Sequence, residues 1–187
     1  MSRNVFTHPV IHGSEVPLLL FTKQFDRSKY KTVTNMPYSN KPDGGLWTSP
    51  YKPDTGSEWV EFTVGANFNV PNVDGPASLI TLKKDATIYR ISAMTELCEL
   101  LKDFKAKQLM ELPLPLILDV LDYERLAKVI DGIYVTPSGL YSTRLTEPSL
   151  HGWDCETVLI LNVESIKHVQ PGRMEKKWLK SRKAVDE

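Results

Sequence analysis

Gly152-Trp153-Asp154-Cys155-Glu156-Thr157-Val158-Leu159-Ile160-Leu161 holds the clearest strand of the chain, with two carboxylates set directly before it. The apolar run from Thr157 to Leu161 is short and rich in side chains that suit a buried strand. A carboxylate at the mouth of such a strand is held rigidly enough to meet a ligand. The plainer alternative is that Asp154 and Glu156 solvate the strand entrance while Trp153 belongs to the core.

Further strands follow outward from this one. Ala77–Leu82, Thr87–Ile91 and Ile133–Thr136 read as strands, and Asn162–Ile166 begins another turn and strand. Leu97, Leu100, Leu101 and Phe104 recur at helical spacing, with Glu96 and Glu99 early and Lys102, Lys105 and Lys107 late, as the helix dipole favours. Val120, Tyr123, Leu126, Ala127 and Ile130 form a second apolar helical face, ended by Asp131-Gly132. Pro137-Ser138-Gly139 reads as a turn.

Towards the N-terminus, residues 1–16, with Val5, Phe6, His8, Val10 and Ile11, read as an extended arm or edge strand. Val16–Phe21 reads as a buried strand near its end. Residues 26–42 are polar and read as a long surface loop, and residues 65–77 as a second irregular segment. Lys41-Pro42-Asp43-Gly44-Gly45 is turn chemistry leading into Leu46-Trp47-Thr48-Ser49, with Pro50 as the breaker. Ser57 is placed to cap a short helix carrying Trp59, Val60 and Phe62. The fold class is therefore mixed α+β, in one domain over residues 1–168 with a basic tail over 169–187.

Composition bounds the function classes. The 187 residues are 41% apolar and 25% charged, which suits one domain with a sizeable core. Twenty-three basic residues balance twenty-three acidic ones, which excludes a wholly basic nucleic-acid coat. Neither Val16–Phe21 nor Leu112–Leu118 is long enough to span a bilayer, and the first residues hold no apolar signal core, so a cytoplasmic location without membrane partners is expected. From Lys167 to Lys183, Lys167, Arg173, Lys176, Lys177, Lys180, Arg182 and Lys183 stand against the single acid Glu175, pinned by Trp178 and Leu179 as a short helix. Such a tail reads as a solvated end or as an anion contact.

Several chemistries lack their residues. Cys98 and Cys155 fit no zinc or redox spacing, and His8, His12, His151 and His168 are scattered, so no metal is expected. No phosphate-cradling glycine motif and no Gly-x-Ser-x-Gly elbow occurs. Cys155 and His151 lack a visible third member for a nucleophilic triad. By contrast, Gly44-Gly45-Leu46-Trp47-Thr48-Ser49 sets two glycines, an aromatic and two hydroxyls side by side, letting backbone approach a ligand while a ring stacks on it. An ordinary tight turn into a buried strand would use the same residues.

The order of these segments, from Phe21-Thr22 through Gly44–Ser49, Trp59, Ile88–Ile91 and Leu121–Val135 to Gly152–Thr157, resembles the ADP-ribosyltransferase fold, in particular its small bacterial and phage branches. The resemblance spans residues 17–168. It implies a split two-sheet core around a cleft for bent NAD⁺. The first strand supplies a His or Arg, the second a Tyr or Ser-Thr-Ser-like group beside the nicotinamide, and a later strand a Glu that stabilises the oxocarbenium-like sugar. Carried over, these place Trp47, Thr48 and Ser49 beside the nicotinamide and make Glu156 the catalytic residue. The first-strand position falls at Leu20–Lys23, which holds neither His nor Arg. Thr22 or Lys23 stands there as donor, with His12-Gly13-Ser14 as another candidate.

The resemblance implies an NAD-dependent transferase moving ADP-ribose to a macromolecule, as a toxin or phage-conflict effector with an antitoxin partner. The basic tail, with Arg27, Lys29, Lys31 and Lys41, leans towards RNA or DNA as acceptor. A catalytically inactive nucleotide- or nucleic-acid-binding module is the alternative. RNA 2′-phosphate removal ranks third, because Arg90, Arg125 and Arg144 are scattered.

Overall fold

The computed structural model describes residues 9–37, 39–106 and 119–180. Val5, Phe6, His8, Lys107, the Leu112–Leu118 run, Arg182 and Lys183 lie outside the described residues. In chain order the strands and α-helices are β1 (Val10–His12), β2 (Leu19–Phe21), β3 (Thr34–Met36), β4 (Ser39–Asp43), β5 (Leu46–Pro50), α1 (Glu58–Gly65), β6 (Pro76–Leu82), β7 (Thr87–Ile91), α2 (Met94–Phe104), α3 (Tyr123–Leu126), β8 (Gly132–Val135), α4 (Pro137–Thr143), β9 (Thr157–Ile160) and β10 (Ile166–Arg173). Eight strands form one mixed sheet in the order β1-β7-β8-β9-β5-β2-β6-β10, and β3 and β4 form a separate hairpin. The fold is mixed α+β, with a large sheet and few helices.

The sheet changes character at β5. Leu46, Trp47 and Thr48 pair with Ile160, Leu159 and Val158 of β9, whereas Ser49 and Pro50 pair with Leu20 and Leu19 of β2. Among the described residues, only β7 and β8 pair in parallel, joined by the crossover that contains α2 and α3. Gly44 and Gly45, at φ +76° and +67°, bring the chain into β5 through the left-handed region, where side chains are disfavoured. A Cβ on Gly45 would stand 2.6 Å from Leu159 Cδ1.

Both faces are packed. Leu97, Leu100 and Leu101 of α2 lie with Tyr89, Ile91, Ile133, Val135 and Leu159 on one face. Leu19, Leu46, Ile80, Ile88, Val158 and Ile160 fill the other. Full burial of such side chains contributes roughly 1.5–3 kcal/mol each. A third cluster joins Leu20, Val60 and Ala77 to Met174 and Trp178.

The expected helix caps form in part. Ser57 caps α1 by accepting from the Val60 N–H, and the Glu96 carboxylate accepts from the Ser92 and Ala93 N–H groups at the start of α2. The second helix, however, is only the single turn α3. Residues before it are held extended, because Ala106 N–H donates to Val120 O and Asp122 N–H to Phe104 O. Asp131 does not merely close that helix: its carboxylate accepts from Thr87 N–H and Asn162 Nδ2. Pro137-Ser138-Gly139 opens α4 rather than turning, with Pro at the first helical position and the Thr136 hydroxyl accepting from Gly139 N–H.

The polar stretch 26–42 is likewise not a loop throughout, since it builds a 3₁₀ turn at Arg27–Lys29 and the β3–β4 hairpin. Its polar side chains work inward: buried Asn40 donates to Asp119 O and Ser149 O and accepts from Leu121 N–H. Pro50 closes β5 from within the strand. The basic segment begins inside the sheet, as β10 pairs with β6 from Ile166 to Arg173, so the expected domain boundary at 168 falls within a strand. Trp178 is buried and its indole donates to Pro53 O.

Candidate functional site

At the change of partner in β5 lies a cavity of about 230 Å³. Thr22, one residue past β2, and Trp47, Thr48 and Ser49 of β5 all line it. Trp59 of α1, Lys41 of β4, and Trp153, Asp154, Cys155 and Thr157 at the entrance of β9 complete the walls. The structure thus brings together four of the five residues expected from the sequence. Trp59, Trp153, Lys23 and Lys41 join them.

The aromatic wall is rigid. Trp47 and Trp153 meet edge to face with centroids 4.8 Å apart, and the Trp47 indole donates to Gly44 O at 3.0 Å. Trp153 is fully buried, with its indole donating to Asn40 O. Lys41 Nζ lies 5.3 Å from the Trp47 ring centroid, donates to Gly152 O at 2.7 Å and stands 3.7 Å from Asp154 Oδ2. A π face, a hydroxyl-lined floor and a paired charge at the rim suit a planar heteroaromatic ring.

Three of the hydroxyls have their protons committed. Thr48 Oγ1 donates to Val158 O at 2.6 Å, Ser49 Oγ to Glu156 O at 2.7 Å and Thr157 Oγ1 to Cys155 O at 2.7 Å. Each oxygen keeps lone pairs, so towards a ligand these groups accept. Burial pushes the Cys155 thiol up to about 12, which keeps it neutral and unfit as a nucleophile.

Glu156 is placed differently. Strand alternation sends Thr157 and Leu159 to the Trp47 face and Glu156 and Val158 to the other. Its carboxylate, 8% exposed, accepts from the Tyr134 hydroxyl at 2.6 Å and lies 3.8 Å from Lys52 Nζ. Glu156 N–H donates to Glu58 Oε2 at 2.9 Å, and Lys52 Nζ bonds Glu58 Oε1 at 3.0 Å. Burial raises the Glu156 pKa above the usual carboxylate range, the Tyr134 bond pulls it back, Glu58 raises it and Lys52 lowers it. Asp154, ahead of the strand, lines the cavity with Lys41.

Tyr134, Lys52 and Glu58 are the members the sequence reading missed. Alternation counted back from β9 separates Glu156 from Thr157, but nothing local in the sequence links it to residues 52, 58 and 134.

Other regions offer less. An open groove of about 950 Å³ lies near the starts of β7 and β8 and contains none of the expected residues. Asp131 and Arg125 within it are committed to Thr87, Asn162 and Asp103 O. Among the described residues, no group of three or more His, Cys, Asp and Glu side chains is placed to hold a metal ion, and no helix is long and apolar enough to cross a membrane.

No family model, curated protein or solved structure matches the chain.

Proposed function

We propose that the chain is an NAD-consuming ADP-ribosyltransferase acting on a macromolecule, with the tryptophan cavity as the seat of the nicotinamide ring. The observation that carries this reading is the convergence of Thr22, Trp47, Thr48 and Ser49 from two adjoining strands on one small cavity, with Glu156 in the segment that forms its wall. At about 230 Å³ the cavity falls below the roughly 300–1,000 Å³ of drug-sized ligand sites, so it takes one substituted ring and leaves the rest of a dinucleotide outside. Hydroxyl oxygens that only accept complement the amide N–H₂ of a carboxamide. The change of strand partner at β5 is compatible with a split core.

NAD⁺ supplies a sugar carbon with a good leaving group. Trp47 and Trp59 hold the ring, and Thr48 and Ser49 orient its carboxamide. The glycosidic C–N bond breaks with its electron pair going to the ring nitrogen, and Glu156 stabilises the positive charge left on the sugar. The acceptor's lone pair forms the new bond to that carbon, and the acceptor's proton passes to solvent.

A second reading, a non-catalytic ligand-binding module, is favoured by one observation: the Glu156 carboxylate is engaged by Tyr134 on the face away from Trp47. Nicotinamide release, measured with and without RNA, DNA and cell lysate, separates the two. The transferase reading expects release that depends on one of these additions and falls about 100-fold or more in Glu156→Gln, as loss of a transition-state charge partner does. Quenching of tryptophan emission by NAD⁺ without release under any condition selects the binding module.

A further inference from the structure

We propose that Tyr134, Lys52 and Glu58 are positioning residues that hold Glu156 from three separate elements, Tyr134 and Lys52 at its carboxylate and Glu58 at its backbone N–H, and set the charge it carries. This rests on the reading of Glu156 as the acting carboxylate.

Each member is held by its own scaffold. Tyr134 sits on β8 opposite Val158, two residues along β9 from Glu156, and its hydroxyl reaches Glu156 Oε1 at 2.6 Å. Lys52 follows β5 in a tight loop closed by Lys52 N–H to Gly56 O at 2.9 Å and Gly56 N–H to Lys52 O at 2.7 Å. Gly56 has φ +80°, and a Cβ there would stand 2.9 Å from the buried Trp178 ring, so the loop is seated on the core. Glu58 is the first residue of α1, fixed by the Ser57 cap. Its two oxygens divide the work: Oε1 bonds Lys52 Nζ at 3.0 Å, and Oε2 takes the Glu156 N–H at 2.9 Å.

Glu156 therefore has one donor, one cation and one like charge around a nearly buried carboxylate. Tyr134 and Lys52 favour the charged form, whereas Glu58 and burial favour the protonated one. Glu61 acts on Lys52, Arg90 acts on Tyr134, and the Cys155 thiol, on the opposite face, stays neutral. The balance of opposed neighbours sets where Glu156 loses its proton.

The test uses the full chain with ¹³C-labelled glutamate carboxyls, following the Glu156 resonance (assigned with Glu156→Gln) against pH in wild type, Tyr134→Phe and Glu58→Gln. Both substitutions keep shape, and the amide oxygen that Glu58→Gln introduces still accepts from the Glu156 N–H. Removing the Tyr134 donor moves the Glu156 titration up, and removing the Glu58 charge moves it down, each by about one pH unit. Lys52→Met moves it up and serves as a second donor-side variant. The acid limb of kcat/KM for nicotinamide release shifts in the same directions. A Glu156 titration that stays put in all three variants, or moves the same way in Tyr134→Phe and Glu58→Gln, overturns the proposal. Opposed titration shifts in a protein that releases no nicotinamide uphold the network and overturn the transferase reading instead.

Discussion

The two faces of β9 are built on opposite principles. On one, Cys155, Thr157 and Leu159 stand beside Trp47 and Trp153, and the Ser49 and Thr157 hydroxyl hydrogens are spent on backbone carbonyls. On the other, Glu156 is nearly buried beside a second carboxylate, a lysine and a tyrosine. The first face gains stability from close packing. The second spends it, because a charge removed from water stays costly unless fully compensated. One strand thus separates a cavity wall, where shape dominates, from an electrostatic face, where proton occupancy does.

The largest effect breaks the packed face. Trp153 is fully buried, meets Trp47 edge to face and donates its indole hydrogen to Asn40 O. Trp153→Ala is expected to lower unfolding free energy by roughly 3–5 kcal/mol, read by urea denaturation. An equal loss from Glu156→Ala would dissolve the contrast between the faces.

Next comes the strut behind the cavity. Asn40 joins β4 to Asp119, Leu121 and Ser149 through three hydrogen bonds, and it is buried. Asn40→Ala leaves the Leu121 N–H and two carbonyls without their partner, at about 2–3 kcal/mol. Asn40→Asp is expected to keep only the bond from Leu121 N–H. If Asp proves as stable as Asn, the donations to Asp119 O and Ser149 O carry no weight.

The third prediction concerns the other face and runs in the opposite direction. Burial first, and the Glu58 charge after it, raise the Glu156 pKa, so the folded protein binds this proton more tightly than the unfolded chain. Stability from this group is full below the ordinary glutamate value and is lost as pH climbs through the raised one. Glu156→Gln removes that dependence. The variant is therefore expected to match wild type at acid pH and exceed it at neutral pH, by melting temperature. A variant less stable than wild type at neutral pH would mean the carboxylate is a structural tie.

Much of this was readable from residue order. The strands at 77–82, 87–91 and 157–160, the helix at 94–104 and the Ser57 cap follow from local pattern, because each buries its own periodic face. That Trp47, Thr48 and Ser49 would line one cavity was legible for a similar reason: glycines, a ring and hydroxyls are adjacent in the chain. The hairpin at 34–43 was not, since Asn35 and Asn40 look like loop residues until Tyr123 N–H and Leu121 N–H are there to meet them. α4 was hidden because Pro-Ser-Gly serves a turn and a helix start equally well. The company of Glu156 was hidden most deeply. Residues 52, 58 and 134 reach it only after β8, β9 and β5 are laid side by side, and its face depends on strand register.

The smallest effect sharpens what the packed face accepts. Lys41 lies against Trp47 at the cavity rim, with Gly152 O and Asp154 as partners. Its side chain is 43% exposed, so the ion pair contributes about 0.2–1 kcal/mol and the ring contact a similar amount. Lys41→Met keeps the apolar stem over the indole and deletes the charge, so unfolding free energy should move by less than about 1 kcal/mol. Ligand preference is the sharper readout. An ammonium beside Trp47 opposes a cationic ring in the cavity and is indifferent to a neutral one, whereas the variant leaves Asp154 there alone. Titrations of tryptophan emission with nicotinamide and with 1-methylnicotinamide cation are therefore expected to diverge. Affinity for the neutral ring holds steady, while affinity for the cation tightens by a few-fold, about 1 kcal/mol at most. Equal changes for the two ligands would show that the rim charge does not face the bound ring and would move the ring site away from Trp47. A selective gain for the cation would give Lys41 a part in the proposed transfer, since on that reading it presses on the pyridinium before the bond breaks and ceases to do so once the ring leaves neutral.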